Sequence, residues 1–258
     1  MILYSKIYGM GSPILVFHGL FGNGNNWISF AKEFSKIYQI HLLDIRNHGK
    51  SFVSDKMNYD LISKDILEYI HYYELNDPIL LGHSMGGRAV IKFSIKYPFI
   101  PKKVIVLDIS PKAYTNSDQD QKKLIHILKK VDFNIINTRR DLDSFLKTWI
   151  FDIKIRSFFS KCIQRKKNGK LCFSFSLLNI EKNYDFLIHK EIKNGLYYGP
   201  TLFLRGEYSN YILNKDYNYI RKLFPKSKIW TVKKSDHWIH IDNPMDFYKK
   251  INVFLNET

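Results

Sequence analysis

The sequence predicts an α/β fold: a mostly parallel central sheet with helices on both faces and an inserted helical cap. Three features predict it. The apolar runs Ile14–Phe17, Ile79–Leu81 and Val104–Leu107 are continuous rather than alternating, as strands covered on both faces require. Stretches with apolar residues at helical spacing separate them, so strand and helix alternate, which implies parallel strands joined by right-handed crossovers. The alternation stops near residue 112 and resumes near 197. Residues 1–111 are therefore read as the first part of the core, 112–196 as the cap insertion and 197–258 as the second part of the core.

Met1–Tyr8 alternates into a turn at Gly9–Pro13 and reads as a first strand forming a hairpin with the next. Ile14–Phe17 ends in His18-Gly19-Leu20-Phe21-Gly22-Asn23-Gly24, a Gly/Asn-rich loop suited to offering a backbone N–H to an oxyanion, that of Leu20 with Phe21 second. Trp27, Phe30, Ala31 and Phe34 form a core stripe on a helix over residues 27–37. The strand Gln39–Leu43 leads into Asp44-Ile45-Arg46-Asn47-His48-Gly49-Lys50-Ser51. That loop holds an acid, a base and a histidine, but reads as a self-bonded turn and not as a catalytic site. A helix then starts at Asn58-Tyr59-Asp60, with Asp60 as its N-cap.

Gly82-His83-Ser84-Met85-Gly86 has the Gly-x-Ser-x-Gly pattern, preceded by a strand and followed by a helix, as in a nucleophile elbow. The strand Lys103–Leu107 ends in Asp108. In the insertion, helices are expected over Gln119–Val131, Leu142–Phe151, Ile155–Gln164 and Asn179–Ile192, with a turn at Lys167–Lys170 and an extended piece at Leu171–Phe175. Phe145, Trp149, Phe158 and Phe159 are expected to fill the insertion's own core or line an acyl pocket, the core being preferred for most. The strand at Thr201–Leu204 runs on to a second carboxylate, Glu207. A helix at Asp216–Leu223 and a strand at Lys228–Val232 precede the loop that carries His237 and His240. The last helix has Asn243 as N-cap, Pro244 at its first position and a stripe of Phe247, Ile251 and Phe254.

Acyl transfer needs a nucleophile, a base, a group that orients the base, and an oxyanion hole. Ser84 supplies the first and His237 the second, while His240 and His83 are read as structural neighbours. The Met85 and Leu20 amides would form the oxyanion hole. The acid is Asp108 or Glu207, with Asp108 preferred because a carboxylate ending an apolar strand is costly unless paired.

With these residues in place, the chain resembles the α/β-hydrolase superfamily, and within it the YbfF-type bacterial esterases and their mitochondrial abhydrolase relatives. The resemblance covers nearly the whole chain. It rests on His18–Gly22, Asp44-x-Arg46-Asn47-His48-Gly49-x-Ser51, Gly82–Gly87, Asp108-Ile109-Ser110-Pro111 and His237-Trp238-x-His240. It implies a serine hydrolase of small esters and acyl thioesters with no cofactor or metal. It also implies a triad of Ser84, Asp108 and His237, with Ser209 as an auxiliary hydroxyl near the histidine. Lys234 and Asp236 stand where relatives usually have glycines before that histidine, and Arg205-Gly206-Glu207-Tyr208 replaces a Gly/Asn-rich stretch. The same apparatus also serves carbon–carbon bond hydrolases and perhydrolases, and the fold can carry a catalytically silent binding protein.

Composition bounds the rest. The chain has 258 residues, of which 45% are hydrophobic, enough for one large domain. No run of eighteen apolar residues and no signal-like apolar start exist, and two cysteines in one segment make no disulfide framework, so a soluble protein of a reducing cytoplasm is expected. The net charge of +16 would speed encounter with anions, but the lysines are scattered and no nucleic-acid motif accompanies them. Compositional bias is the preferred origin of the charge. The expected partner is a small-molecule ester or thioester.

Overall fold

A computed structural model describes residues 1–114 and 118–257. The chain begins with β1 (Ser5–Tyr8), β2 (Pro13–Phe17), α1 (Ile28–Phe34), β3 (Gln39–Leu43), α2 (Tyr59–Tyr72), β4 (Ile79–His83), α3 (Met85–Lys96) and β5 (Lys103–Leu107). An intervening segment carries α4 (Asp118–Lys129), α5 (Arg139–Lys147), α6 (Ile153–Lys161), β6 (Ile163–Arg165), β7 (Leu171–Phe173) and α7 (Leu177–Ile188). The chain then adds β8 (Thr201–Gly206), α8 (Tyr217–Leu223), β9 (Ser227–Val232), α9 (Ile239–Asp242) and α10 (Pro244–Asn256).

Seven strands form one sheet in the order β1-β3-β2-β4-β5-β8-β9. All neighbours are parallel except β1, which runs antiparallel to β3. The continuous apolar runs are explained by the two faces. Leu15 and Phe17 of β2, Leu80 of β4, and Val104 and Val106 of β5 join the cluster under α2, α3 and α8. Ile14 and Val16, Ile79 and Leu81, and Ile105 and Leu107 point the other way, onto α1 and α10. Each such side chain contributes about 1.5–3 kcal/mol by leaving water. At the start of β5, the Lys103 ammonium donates to the carbonyls of Phe254 (3.1 Å) and Leu255 (2.9 Å), closing the C-terminal end of α10.

The first-hairpin expectation is corrected: β1 does not pair with β2, because β3 lies between them. The connecting turn wraps past the approach to β3. A Cβ at Gly9 (φ +72) would lie 2.2 Å from the Ser35 carbonyl oxygen, and one at Gly11 2.4 Å from that of Ile37. The N-cap of α2 is Asn58, not Asp60; the Asn58 side chain accepts from the Leu61 N–H at 2.9 Å, and Asp60 sits in the first turn.

The segment between β5 and β8 has a core of its own. Ile125, Leu128, Leu142, Leu146, Phe159 and Ile180 pack together there, and Phe21 from the β2–α1 loop packs into it. Ile163 and Gln164, expected to end a helix, instead open the β6–β7 hairpin, with Ile163 opposite Phe173. This segment docks on the loop after β3, where the Gly49 N–H donates to the Ser174 carbonyl at 2.5 Å and the Ser176 N–H to that of Asn47 at 2.8 Å.

Candidate active site

Ser84 stands between β4 and α3 with φ 53° and ψ −117°, a left-handed conformation that a residue with a Cβ adopts only under constraint. Its neighbours supply the constraint. A Cβ at Gly82 would lie 2.3 Å from the Gly86 carbonyl oxygen, and one at Gly86 2.3 Å from that of Phe17. The turn thus closes only with glycine on both sides of the serine. It leaves Ser84 at the N-terminus of α3, where the dipole and free amides favour negative charge.

The backbone amides of Met85 and Leu20, the two expected oxyanion donors, have no hydrogen-bond acceptor among the described residues. Phe21, the second candidate, is otherwise engaged: its N–H donates to His48 Nε2 at 3.2 Å. His48 in turn donates from Nδ1 to the Arg46 carbonyl at 3.0 Å, and burial lowers its pKa to about 3. His18 is held in the same way, accepting the Ile45 N–H at 3.0 Å on Nε2, with a pKa lowered by burial to about 4. The loop from Asp44 to Ser51 is therefore the self-bonded brace expected of it. Asp44 accepts from the Gly24 and Lys50 amides, and Arg46 grips Asp65 with two bonds of 2.6 Å.

Asp108 follows β5 with φ 48° and is fully buried. Its Oδ1 accepts the Gly206 N–H at 2.9 Å; its Oδ2 accepts the Ser209 hydroxyl and lies 2.8 Å from His237 Nδ1. A carboxylate only accepts, so it draws the imidazole proton to Nδ1 and leaves the Nε2 lone pair free. Glu207 is exposed and bonded elsewhere: it accepts the Lys234 N–H at 2.8 Å. Lys234 takes the left-handed conformation (φ 51°) that a glycine would adopt freely, and Glu207 anchors its amide.

His237 is partly exposed. Tyr211 stacks on its ring at 4.0 Å between centroids, and its carbonyl accepts from His83 Nε2 at 3.0 Å. His83 is buried and His240 half-buried, and desolvation holds both neutral, His83 well below the ordinary histidine value and His240 at about 3. His240 stacks on Trp27 at 4.3 Å. Of these histidines, His237 is the partly exposed one that bonds the Asp108 carboxylate. No hydrogen bond joins Ser84 Oγ to His237 among the described residues; contacts of this kind commonly tighten only when substrate fills the site.

A narrow cavity of about 20 Å³ lies beside Ser84, lined by Leu20, Met85, Tyr59, Tyr114, Leu187 and Ile188 among others. Among the described residues no group of histidine, cysteine and carboxylate side chains could hold a metal ion.

The alpha/beta hydrolase fold family matches residues 12–244 of this sequence. A Haemophilus influenzae protein whose name assigns it provisionally to the esterases or lipases is 34% identical over 96% of this chain and 85% of its own. An sn-1-specific diacylglycerol lipase of Danio rerio is 31% identical, over 96% of this chain and 79% of its own. A solved esterase from a marine microorganism is 36% identical with a TM-score of 0.94, covering 98% of this chain and 99% of that one.

The chain belongs to the α/β-hydrolase family. Its named relatives place it with the ester hydrolases. Within this hydrolase the structure brings Asp108, His237 and Ser209 into one hydrogen-bonded group, and Leu20 and Met85 to the cavity beside Ser84. It keeps Glu207 outside that group. Phe145 and Phe158 pack against the core of the inserted segment and Phe159 lies within it, whereas Trp149 is half exposed beneath the Lys130 ammonium. None of the four lines the cavity. Sequence reasoning missed Tyr211 and Arg88 at this site. Tyr211 carries no motif, and Arg88 had a signal only in hindsight: a charged residue one helical turn after the serine, on a helix otherwise buried along that stretch.

Proposed function

We propose that this hydrolase is a serine esterase acting on small carboxylic esters through a covalent acyl-enzyme. The observation that carries the reading is the buried Asp108 carboxylate 2.8 Å from His237 Nδ1, because it fixes the imidazole tautomer that can take a proton from Ser84. Ser84 Oγ bonds to the acyl carbon while His237 Nε2 receives the hydroxyl proton. The Leu20 and Met85 amides hold the oxygen that becomes negative. The tetrahedral adduct expels the alcohol, which leaves with the proton from His237. Water then repeats the sequence: its proton goes to His237, its oxygen bonds to the acyl carbon, and Ser84 departs with the proton as the acid is released. Ser209 steadies the Asp108 carboxylate and does not touch substrate. Acyl thioesters fall within the same mechanism, since a thiol leaves at least as readily as an alcohol.

The test is turnover of p-nitrophenyl esters from acetyl upward by the wild type and by Ser84→Ala. The reading expects activity in the wild type and a loss of about 10⁴-fold or more in the variant. Equal activity in the two proteins would refute the assignment of Ser84. No turnover of any ester or thioester would leave a binding protein as the better description.

A further inference from the structure

Three arginines are buried among the described residues, and one of them has no ion pair. Arg46 is 7% exposed and bidentate to Asp65; Arg156 is 7% exposed and 3.0 Å from Asp143. Arg88 is 1% exposed, yet among the described residues no carboxylate lies within ion-pairing distance of it. Two of its amines donate to the carbonyls of Lys112 and Lys190, which flank the inserted segment. The rings of Tyr59 and Tyr114 lie 5.2 and 5.6 Å from the guanidinium carbon. The Nε–H has no acceptor. Carbonyl dipoles, ring faces and the more distant Glu191 carboxylate, itself paired with Lys193 at 2.8 Å, thus offset part of the charge and leave one donor unused. A buried guanidinium in that state is costly, and an opposite charge is what relieves it.

Arg88 is also the only one of the three that lines the cavity beside Ser84. That cavity is lined by Leu20 and Met85 but not by His237. On the esterase reading, on which this inference rests, the carbonyl oxygen sits at those two amides and the leaving oxygen must face His237. The cavity is then the acyl side. We propose that it takes acyl groups ending in a carboxylate, with Arg88 as the counter-ion that selects them. Ser84 caps α3 and Arg88 lies in its first turn, so an acyl chain between them is short, as in a succinyl or glutaryl half-ester.

The test compares hydrolysis of monoethyl glutarate with that of ethyl 5-methylhexanoate, whose isopropyl end matches a carboxylate in size. It is run at about 0.5 M salt, where long-range attraction to the net positive charge is screened. The wild type should favour the half-ester in kcat/KM by about tenfold or more. Arg88→Met should collapse that ratio, and Arg88→Lys should keep part of it. A wild-type ratio of one or less, or an unchanged ratio in Arg88→Met, overturns the proposal. Because Arg88 also ties Lys112 and Lys190, a readout on the wild type alone stands beside the variants. Competitive inhibition by 5-oxohexanoate should exceed that by 6-methylheptan-2-one; equal or weaker inhibition overturns the assignment. Failure to hydrolyse either ester or p-nitrophenyl butyrate would sink the esterase reading itself, whereas turnover of the neutral esters without preference sinks only this one.

Discussion

Asp108 and Glu207 are both carboxylates just beyond strand ends, and only their surroundings separate them. Asp108 has no solvent contact and receives three hydrogen bonds, from Gly206 N–H, Ser209 Oγ and His237 Nδ1. Glu207 faces water and holds one loop amide. Asp108→Asn should therefore lower kcat by about 10⁴-fold, because an amide can donate to Nδ1 and stabilise the wrong tautomer. Glu207→Gln retains an acceptor for Lys234 and should cost less than about tenfold. Steady-state kinetics of both variants on one ester decide the matter; the reverse order would make Glu207 the orienting acid. The same reasoning removes Phe21 from the oxyanion hole, since its amide is already given to His48. The Phe21–His48 bond spans 27 residues, and nothing in the local sequence could have announced it.

At the scale of elements, the Asn58 cap allows a differential test. Asn58→Ala removes the acceptor for the Leu61 amide and should cost about 1 kcal/mol, whereas Asp60→Ala should change stability by less than about 0.5 kcal/mol. Urea denaturation of the two variants measures the difference, and equal costs would contradict the cap assignment. The elements most legible in the sequence were those whose neighbours are dictated by their own pattern. β2, β4 and β5 read as buried strands because residues of each supply both faces of the core. The elbow was legible because its glycines answer to atoms only a few residues away or on the adjoining strand. What stayed hidden depends on distant pairing. Helical spacing at Ile155, Phe158 and Phe159 extends naturally to Ile163, but Ile163 is claimed by Phe173 across a hairpin. β1 looked like half of a hairpin until β3 took the place beside it. In the candidate site, Ser84 and His237 were proposed from position along the chain, while which carboxylate bonds His237 is visible only in the fold, where Asp108 is buried against it and Glu207 is exposed.

Over the whole molecule, buried neutral histidines set the response to acid. Burial lowers His18 and His41 to about 4 and His48 and His240 to about 3, and takes His83 well below the ordinary value. In the unfolded chain each titrates near 6.5. As pH falls through that value the unfolded chain binds protons that the fold excludes, so stability is present above it and is lost below. The loss reaches at most about 1.4 kcal/mol per group for each pH unit. The Tm should therefore fall steadily from about pH 7 to pH 5; a flat or rising profile would mean that these rings are not held neutral. The net charge of +16 works in the same direction, since protonation adds to it. No helix among the described residues is long and apolar enough to cross a membrane.

The central claim is that Ser84 is the nucleophile, and a serine-directed fluorophosphonate tests it most directly. Labelling of the wild type followed by peptide mass analysis should place one adduct on Ser84, with esterase activity lost in proportion to labelling. Asp108→Asn should label far more slowly. Loss of activity with the adduct on another residue, or full activity with Ser84 completely labelled, would contradict the mechanism.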